Sequence, residues 1–255
     1  MARPAFVGVG TPIYTAPGPV VPASFTVTPA DLPAGIAAND LLFVLVLIGG
    51  NGVPANPYDS ADLDAAGYVN ASTVTAPSRQ AFILCWAGFY DSADFPATID
   101  LTGGDGDSPS TARVETVAYR NVETLPDFTT PYYRTAGSSI SATLPDPNTT
   151  AAVPISTTDG LVVQFTYESA LPASGTDVDD GFDVGTVSDA EGHTERHRQA
   201  RILDFGGGFV VADTEGLTPQ FATYNTVNNN HVGACMSIGL DGKALAGWVV
   251  GSVGW

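Results

Sequence analysis

The sequence predicts an all-β fold: a single-domain antiparallel β-sandwich of jelly-roll character with a short apolar docking tail. Three observations point there. The 28 glycines and 19 prolines are spread along 255 residues, which suits many short strands joined by turns, and no stretch carries a sustained helical period. Apolar residues make up 44% of the chain and charged residues 14%, the balance of a chain that buries a core. Apolar runs of strand length recur between clusters of Pro, Gly, Asn and Asp, as they do in two-sheet folds, where a chain of this length is commonly one domain. The expected division is residues 1–241 as the β-sandwich domain and 242–255 as the tail.

Taken in order, residues 5–9 (AFVGV) and 24–28 (SFTVT) read as short strands. The runs LLFVLVLI (41–48) and FILCWAGFY (82–90) are unbroken apolar segments bounded by turn residues. That is the pattern of strands covered on both faces, and they are expected at the centre. Strands at 113–120 and 138–144 follow. The segment LVVQFTYE (161–168) alternates, with Val163, Phe165 and Tyr167 on one face and Gln164, Thr166 and Glu168 on a wet one. Strands at 201–205 and 208–212 lead to HVGACMSIGL (231–240), which sets Val232, Ala234, Met236, Ile238 and Leu240 against Gly233, Cys235, Ser237 and Gly239. The small-residue side admits a close neighbour. AANDLLFVLVLI and TTDGLVVQFTYE both enter a strand from a polar turn through Asp, which predicts equivalent strands in two half-structures. Cys85 and Cys235 lie inside apolar runs and are expected as buried free thiols.

The charge narrows the function. Acids total 27 and bases 9, a net of −18, and this field repels a phosphate backbone, so nucleic acid is excluded as a partner. Asp outnumbers Glu 21 to 6, which places most carboxylates in turns, and Lys243 is the single lysine. The longest apolar run, Leu41 to Ile48, is far short of the roughly 20 residues of a membrane helix, so no membrane insertion is expected. The opening segment MARPAFVGVGTPIYTAPGP is cut by Gly and Pro and lacks the apolar core of a secretion signal.

Four segments carry a family resemblance: the Asn-Asp-Leu-Leu turn at 39–42, RQAFILCWAGFY, VETVAYRNVE, and a second DGLVV strand at 159–163. Together they resemble the β-sandwich proteins encoded among the tail and minor virion genes of tailed bacteriophages. The likeness spans residues 24–240, with Tyr119, Arg120, Asn121 and Val122 matching a Tyr-Arg-Gly-Val-like segment and Asn standing in the Gly position. It implies a virion component assembled in the host cytoplasm, with other virion proteins and copies of itself as partners and host-surface glycan as a further one.

Residues 191–203 (EGHTERHRQARIL) hold two of the three histidines and form a candidate basic patch of His193, Arg196, His197, Arg198 and Arg201. The spacing of His193 and His197 matches the helical zinc motif His-Glu-x-x-His, but Glu195 stands one place too late. On a strand, residues four apart sit about 13 Å from each other, too far to grip one ion, and the arginines repel a dication. The stretch therefore reads as a solvated turn leading into the strand RILDF, with intramolecular salt bridges as its first use and a subunit contact as its second. The acidic segment 177–183 fails the EF-hand pattern, since Gly181 falls at position 5 and Ser188 at position 12. Tyr132 and Tyr133 are aromatics able to stack on sugars.

The closing stretch GKALAGWVVGSVGW carries Leu245, Trp248, Val249, Val250, Val253 and Trp255, an apolar set that water does not tolerate exposed, so it is expected to dock on its own sheets or on a neighbour. No nucleophile elbow or phosphate loop occurs, and neither a catalytic residue nor a metal or other cofactor is assigned. The expectation is a non-enzymatic structural protein of a tailed phage virion, tail-tip or fibre-associated. The alternatives are a capsid decoration or head-spike protein, a carbohydrate-binding adhesin, and a glycan hydrolase.

Overall fold

The computed structural model describes residues 2–14, 24–50, 59–75, 81–102, 110–126, 132–135, 160–170, 194–199, 209–214 and 231–243. Along the described chain run β1 (Ala5–Val9), β2 (Ile13–Tyr14), β3 (Ser24–Thr26), β4 (Leu41–Gly50), α1 (Ala61–Ala65), β5 (Val69–Thr75), β6 (Ala81–Phe89) and β7 (Thr98–Asp100). They are followed by β8 (Ser110–Arg120), β9 (Tyr132–Thr135), β10 (Leu161–Ala170), β11 (Thr194–Gln199), β12 (Phe209–Thr214) and β13 (His231–Leu240). The protein is all-β, and the described strand pairs are antiparallel.

Six strands form one sheet in the order β1-β8-β4-β6-β5, with β2 also on β8; five form a second, β11-β12-β10-β13-β9; β3 and β7 make a small third pair. The two apolar runs expected at the centre are there: β4 lies between β8 and β6, and β6 between β4 and β5. Side chains alternate across a strand, so each face of β4 feeds a different core. Leu41, Phe43, Leu45 and Leu47 join Ile83, Cys85 and Ala87 and meet Val163, Phe165, Tyr167, Phe209, Val211, Met236, Ile238 and Leu240 of the five-stranded sheet. Leu42, Val44, Val46 and Ile48 face the other way, against Phe25, Val27, Ile99, Leu101, Leu63 of α1 and Tyr68. Both faces of β4 are dry, which is why its sequence shows no alternation.

The segments entering at Leu41 and Leu161 meet in the core. β4 and β10 are interior strands of their respective sheets, and the rings of Phe43 and Phe165 meet edge to face at 5.1 Å. Phe43 also meets Tyr119, whose ring packs on Phe6 of β1. Cys85 is a buried free thiol, as expected, and burial pushes its ionisation far up. The side chain of Cys235 lies outside the described residues, as do the strands expected at 138–144 and 201–205 and the acidic segment 177–183.

Several elements depart from expectation. The strand expected at 24–28 stops at Thr26, and the one expected at 113–120 starts three residues earlier, at Ser110. β5 (VNASTVT) is an edge strand too polar to announce itself, and β7 has three residues. The largest correction falls on residues 194–199. The solvated turn expected there is β11, paired along β12. TERHRQ, in which all six residues are polar or charged, becomes a strand because it is an edge, where one row of backbone groups can face water.

Phe43→Ala removes a ring that touches both sheets and is expected to cost about 3–5 kcal/mol of unfolding free energy. Val69→Ala, at a side chain 44% exposed, is expected to stay within about 0.5 kcal/mol. Urea denaturation of both variants checks the contrast.

Candidate functional site

Strand β8 is covered on both faces like β4, but its residues are not all apolar. Val117 and Tyr119 point into the core shared with the five-stranded sheet, and period 2 sends Arg113 and Glu115 the same way. Both are sealed, at 1% and 0% exposure. Arg113 Nε lies 3.3 Å from Glu115 Oε1, close enough for an ion pair but not aligned as a hydrogen bond. The guanidinium sits 5.6 Å from the ring centres of both Tyr167 and Phe209, which gives the cation two aromatic faces in place of water. Burial pushes the Glu115 carboxyl up to about 7, while the Arg113 charge pulls it back.

A second buried acid stands across the gap. Asp213 of β12 accepts a hydrogen bond from the Tyr119 hydroxyl at 3.1 Å, and Arg196 Nε donates to both of its oxygens at 2.9 and 2.8 Å. One carboxylate therefore joins β8 of the first sheet to β12 and β11 of the second. Burial, and then the negative charge of Asp213, hold the Tyr119 hydroxyl well above its ordinary ionisation range. The Arg196 guanidinium also lies over the ring of Phe6 at 6.0 Å, reaching β1.

Strand β11 supplies both Arg196 and His197 because its ladder slips. Glu195 pairs with Ala212 and His197 with Val211, so Arg196 is an extra residue without an opposite number. In a regular strand neighbouring residues face opposite ways; at this bulge the half-exposed Arg196 reaches Asp213 while the next residue, His197, lies against Phe209. The His197 ring lies 6.4 Å from that of Phe209, and its Nε2 is buried with no hydrogen-bond partner among the described residues. Burial lowers the His197 pKa, the Arg113 charge lowers it further, and Glu195 opposes both.

Of the basic patch expected from the sequence, the structure brings Arg196 and His197 to this cluster and places the backbone of Arg198 opposite Val210. The Arg196 salt bridge is intramolecular. His193 and Arg201 lie outside the described residues, as do Leu245, Trp248, Val249, Val250, Val253 and Trp255 of the expected assembly interface. The first tail residues are described: Gly242 bridges Val122, and Lys243 bridges Ala2 while its N–H donates to the Asn121 carbonyl at 2.8 Å. Tyr132 and Tyr133 belong to β9, at the far edge of the five-stranded sheet, opposite Ser237 and Met236.

A third polar cluster joins two segments singled out in the sequence. Arg120 holds Asp40 with Nε on Oδ1 at 2.8 Å and Nη2 on Oδ2 at 2.6 Å, and also donates to the Gly35 carbonyl. Asp40 opens β4 and Arg120 closes β8, so the Asn-Asp-Leu-Leu turn and the Tyr-Arg-Asn-Val segment are clamped together by a two-pronged ion pair. Asn121 has φ 61°, the left-handed region that favours Gly and that Asn tolerates, which is the physical reason Asn can stand in that position.

A depression of about 400 Å³ is lined by Asp62, Ala65, Ala66, Gly67, Asp94 and Pro96. Among the described residues no three His, Cys, Asp or Glu side chains converge to hold a metal ion. No family model, no curated protein and no solved structure matches this chain.

Removing one member of the buried pair strands the other. Glu115→Leu alone is expected to cost about 3–5 kcal/mol, and the double change Arg113→Met with Glu115→Leu to cost less than either single change. Denaturation midpoints decide it, and simple addition of the two costs would contradict the pairing. The raised Glu115 carboxyl has its own pH signature. The folded chain holds this proton more tightly than the unfolded one, so the stability it lends is complete below pH 4.5 and is lost as pH rises through about 7. Glu115→Gln should therefore gain on the wild type between about pH 5 and about pH 8 in parallel urea titrations.

Proposed function

We propose that this chain is a non-enzymatic structural protein, an antiparallel β-sandwich of jelly-roll character that serves as a part of a tailed-phage particle at the tail tip or on a fibre. The observation that carries the structural reading is where one set of close charges lies among the described residues. Arg113, Glu115 and Asp213 are at most 2% exposed and sit between layers of strands, an arrangement suited to holding sheets together and closed to a substrate. A general acid or base must come within hydrogen-bond reach of the group it serves, and groups sealed in this way have no such reach. The shared core of the two larger sheets supports the sandwich reading. The phage reading rests on the resemblance, whose turn and Tyr-Arg segments are the ones clamped by Asp40 and Arg120.

In this role the chain works passively: rigid strands present loops, and repeated contacts between copies and with other virion proteins add up by symmetry. The apolar set from Leu245 to Trp255 supplies the contact that fixes a protomer in place. Localisation to the virion follows, after assembly in the host cytoplasm.

The test is whether the chain travels with particles. Phage particles from the source are banded by density, and the bands are probed by peptide mass spectrometry and by gold-labelled antibody in electron micrographs. Peptides in the particle band with label at the tail end are expected; label on the head would give the decoration reading, and a chain found only in the unassembled fraction would contradict a virion role. Deleting residues 244–255 is expected to remove the chain from the band while its strands remain folded by circular dichroism.

A further inference from the structure

We propose that β11 is an acid-released latch: protonation of His197, which packs on the Phe209 ring that the buried Arg113 also faces, frees the strand from β12 and opens the β12 edge of the five-stranded sheet. The inference stands apart from the particle reading and rests on four features of geometry. Among the described strands β11 is an edge, paired in the sheet with β12, and its ladder is already broken by the bulge at Arg196. Its grip includes Arg196 on Asp213 and over the Phe6 ring and the His197 ring against Phe209. Arg113 stands over the same Phe209 ring. Among the described residues His197 Nε2 is buried without a hydrogen-bond partner, a position that a neutral ring tolerates and an imidazolium, with both nitrogens as donors, does not.

Among the described residues, Arg113 opposes a charge on His197 and Glu195 draws it, while burial tips the balance toward the neutral ring. From β8 come Arg113 and, paired to it, Glu115; from β12 comes Asp213, already taken by the Tyr119 hydroxyl and Arg196. From β10 comes Tyr167, whose ring faces the Arg113 guanidinium, and β1 offers the ring of Phe6. On β11 itself, exposed Glu195 attracts the charge, and Arg196 is engaged with Asp213. As pH falls through about 7, Glu115 takes a proton first and leaves Arg113 uncancelled beside His197. Because folding lowers the His197 pKa below 6.5, the docking it supports is complete above pH 6.5 and is lost as pH falls through its folded value.

Amide hydrogen exchange of the full chain at about pH 8 and about pH 5, corrected for the chemical exchange rate, reads the latch strand by strand. Protection of the β11 amides is expected to fall by about tenfold or more at the lower pH in the wild type, with β4 and β6 unchanged. In His197→Gln and His197→Phe, which stay neutral, β11 should keep its protection at both values. Direct NMR titration of the His197 ring in the wild type supplies the second measurement, and its midpoint should coincide with the release of β11. Equal protection at both pH values, the same loss in the neutral variants, loss together with β4, or a release midpoint displaced from that of His197 would each overturn the proposal.

Discussion

A strand covered on both faces has no side on which to leave a charge, and β4 and β8 are both such strands. β4 meets the condition with eight consecutive apolar residues from Leu41 to Ile48, each at most 1% exposed. β8 does not: Arg113 and Glu115 share a face with Val117 and Tyr119, so they lie inside whatever their charge. The rest of the polar interior follows from this constraint. Two aromatic rings come from β10 and β12 to face the Arg113 guanidinium, and the Glu115 carboxyl gives up part of its acidity.

A buried ion pair is a weak source of net stability, because desolvation of both ions offsets most of their attraction. Its value here lies in register. A one-residue slip of β8 against β4 would turn Arg113 and Glu115 toward Phe25, Val27 and Ile99, away from each other's aromatic partners, and would turn Ala112 and Val114 toward the second sheet. Asp213 adds a fixed point across the layers through Tyr119 and Arg196, and the Asp40–Arg120 pair pins the end where β4 begins and β8 stops. The interior charges thus specify one alignment among several that the apolar pattern alone would accept.

The apolar pattern made the frame readable from sequence. Long unbroken runs announced β4 and β6, and alternation in β10 and β13 told which residues face the core, because a strand's period of 2 survives in any two-sided environment. The edges were hidden. β5 and β11 are polar, and edge strands owe their pairing to neighbours that hydropathy does not report. The polar cluster was half visible: parity with Val117 and Tyr119 in a strand expected at 113–120 was the available signal for Arg113 and Glu115. Nothing in TERHRQ marks the bulge that lets both Arg196 and His197 reach the polar cluster, since that shift is set by the pairing with β12.

The central claim is that Glu115 is ionised or neutral according to a dry interior it shares with Arg113, and the most direct measurement is the carboxyl carbon shift of Glu115 in the intact folded chain, followed by NMR across pH. A midpoint near 7 is the expected result. A midpoint at the ordinary 4.5 would mean that water reaches the carboxylate, and the account of β8 as a strand sealed on both faces would not stand.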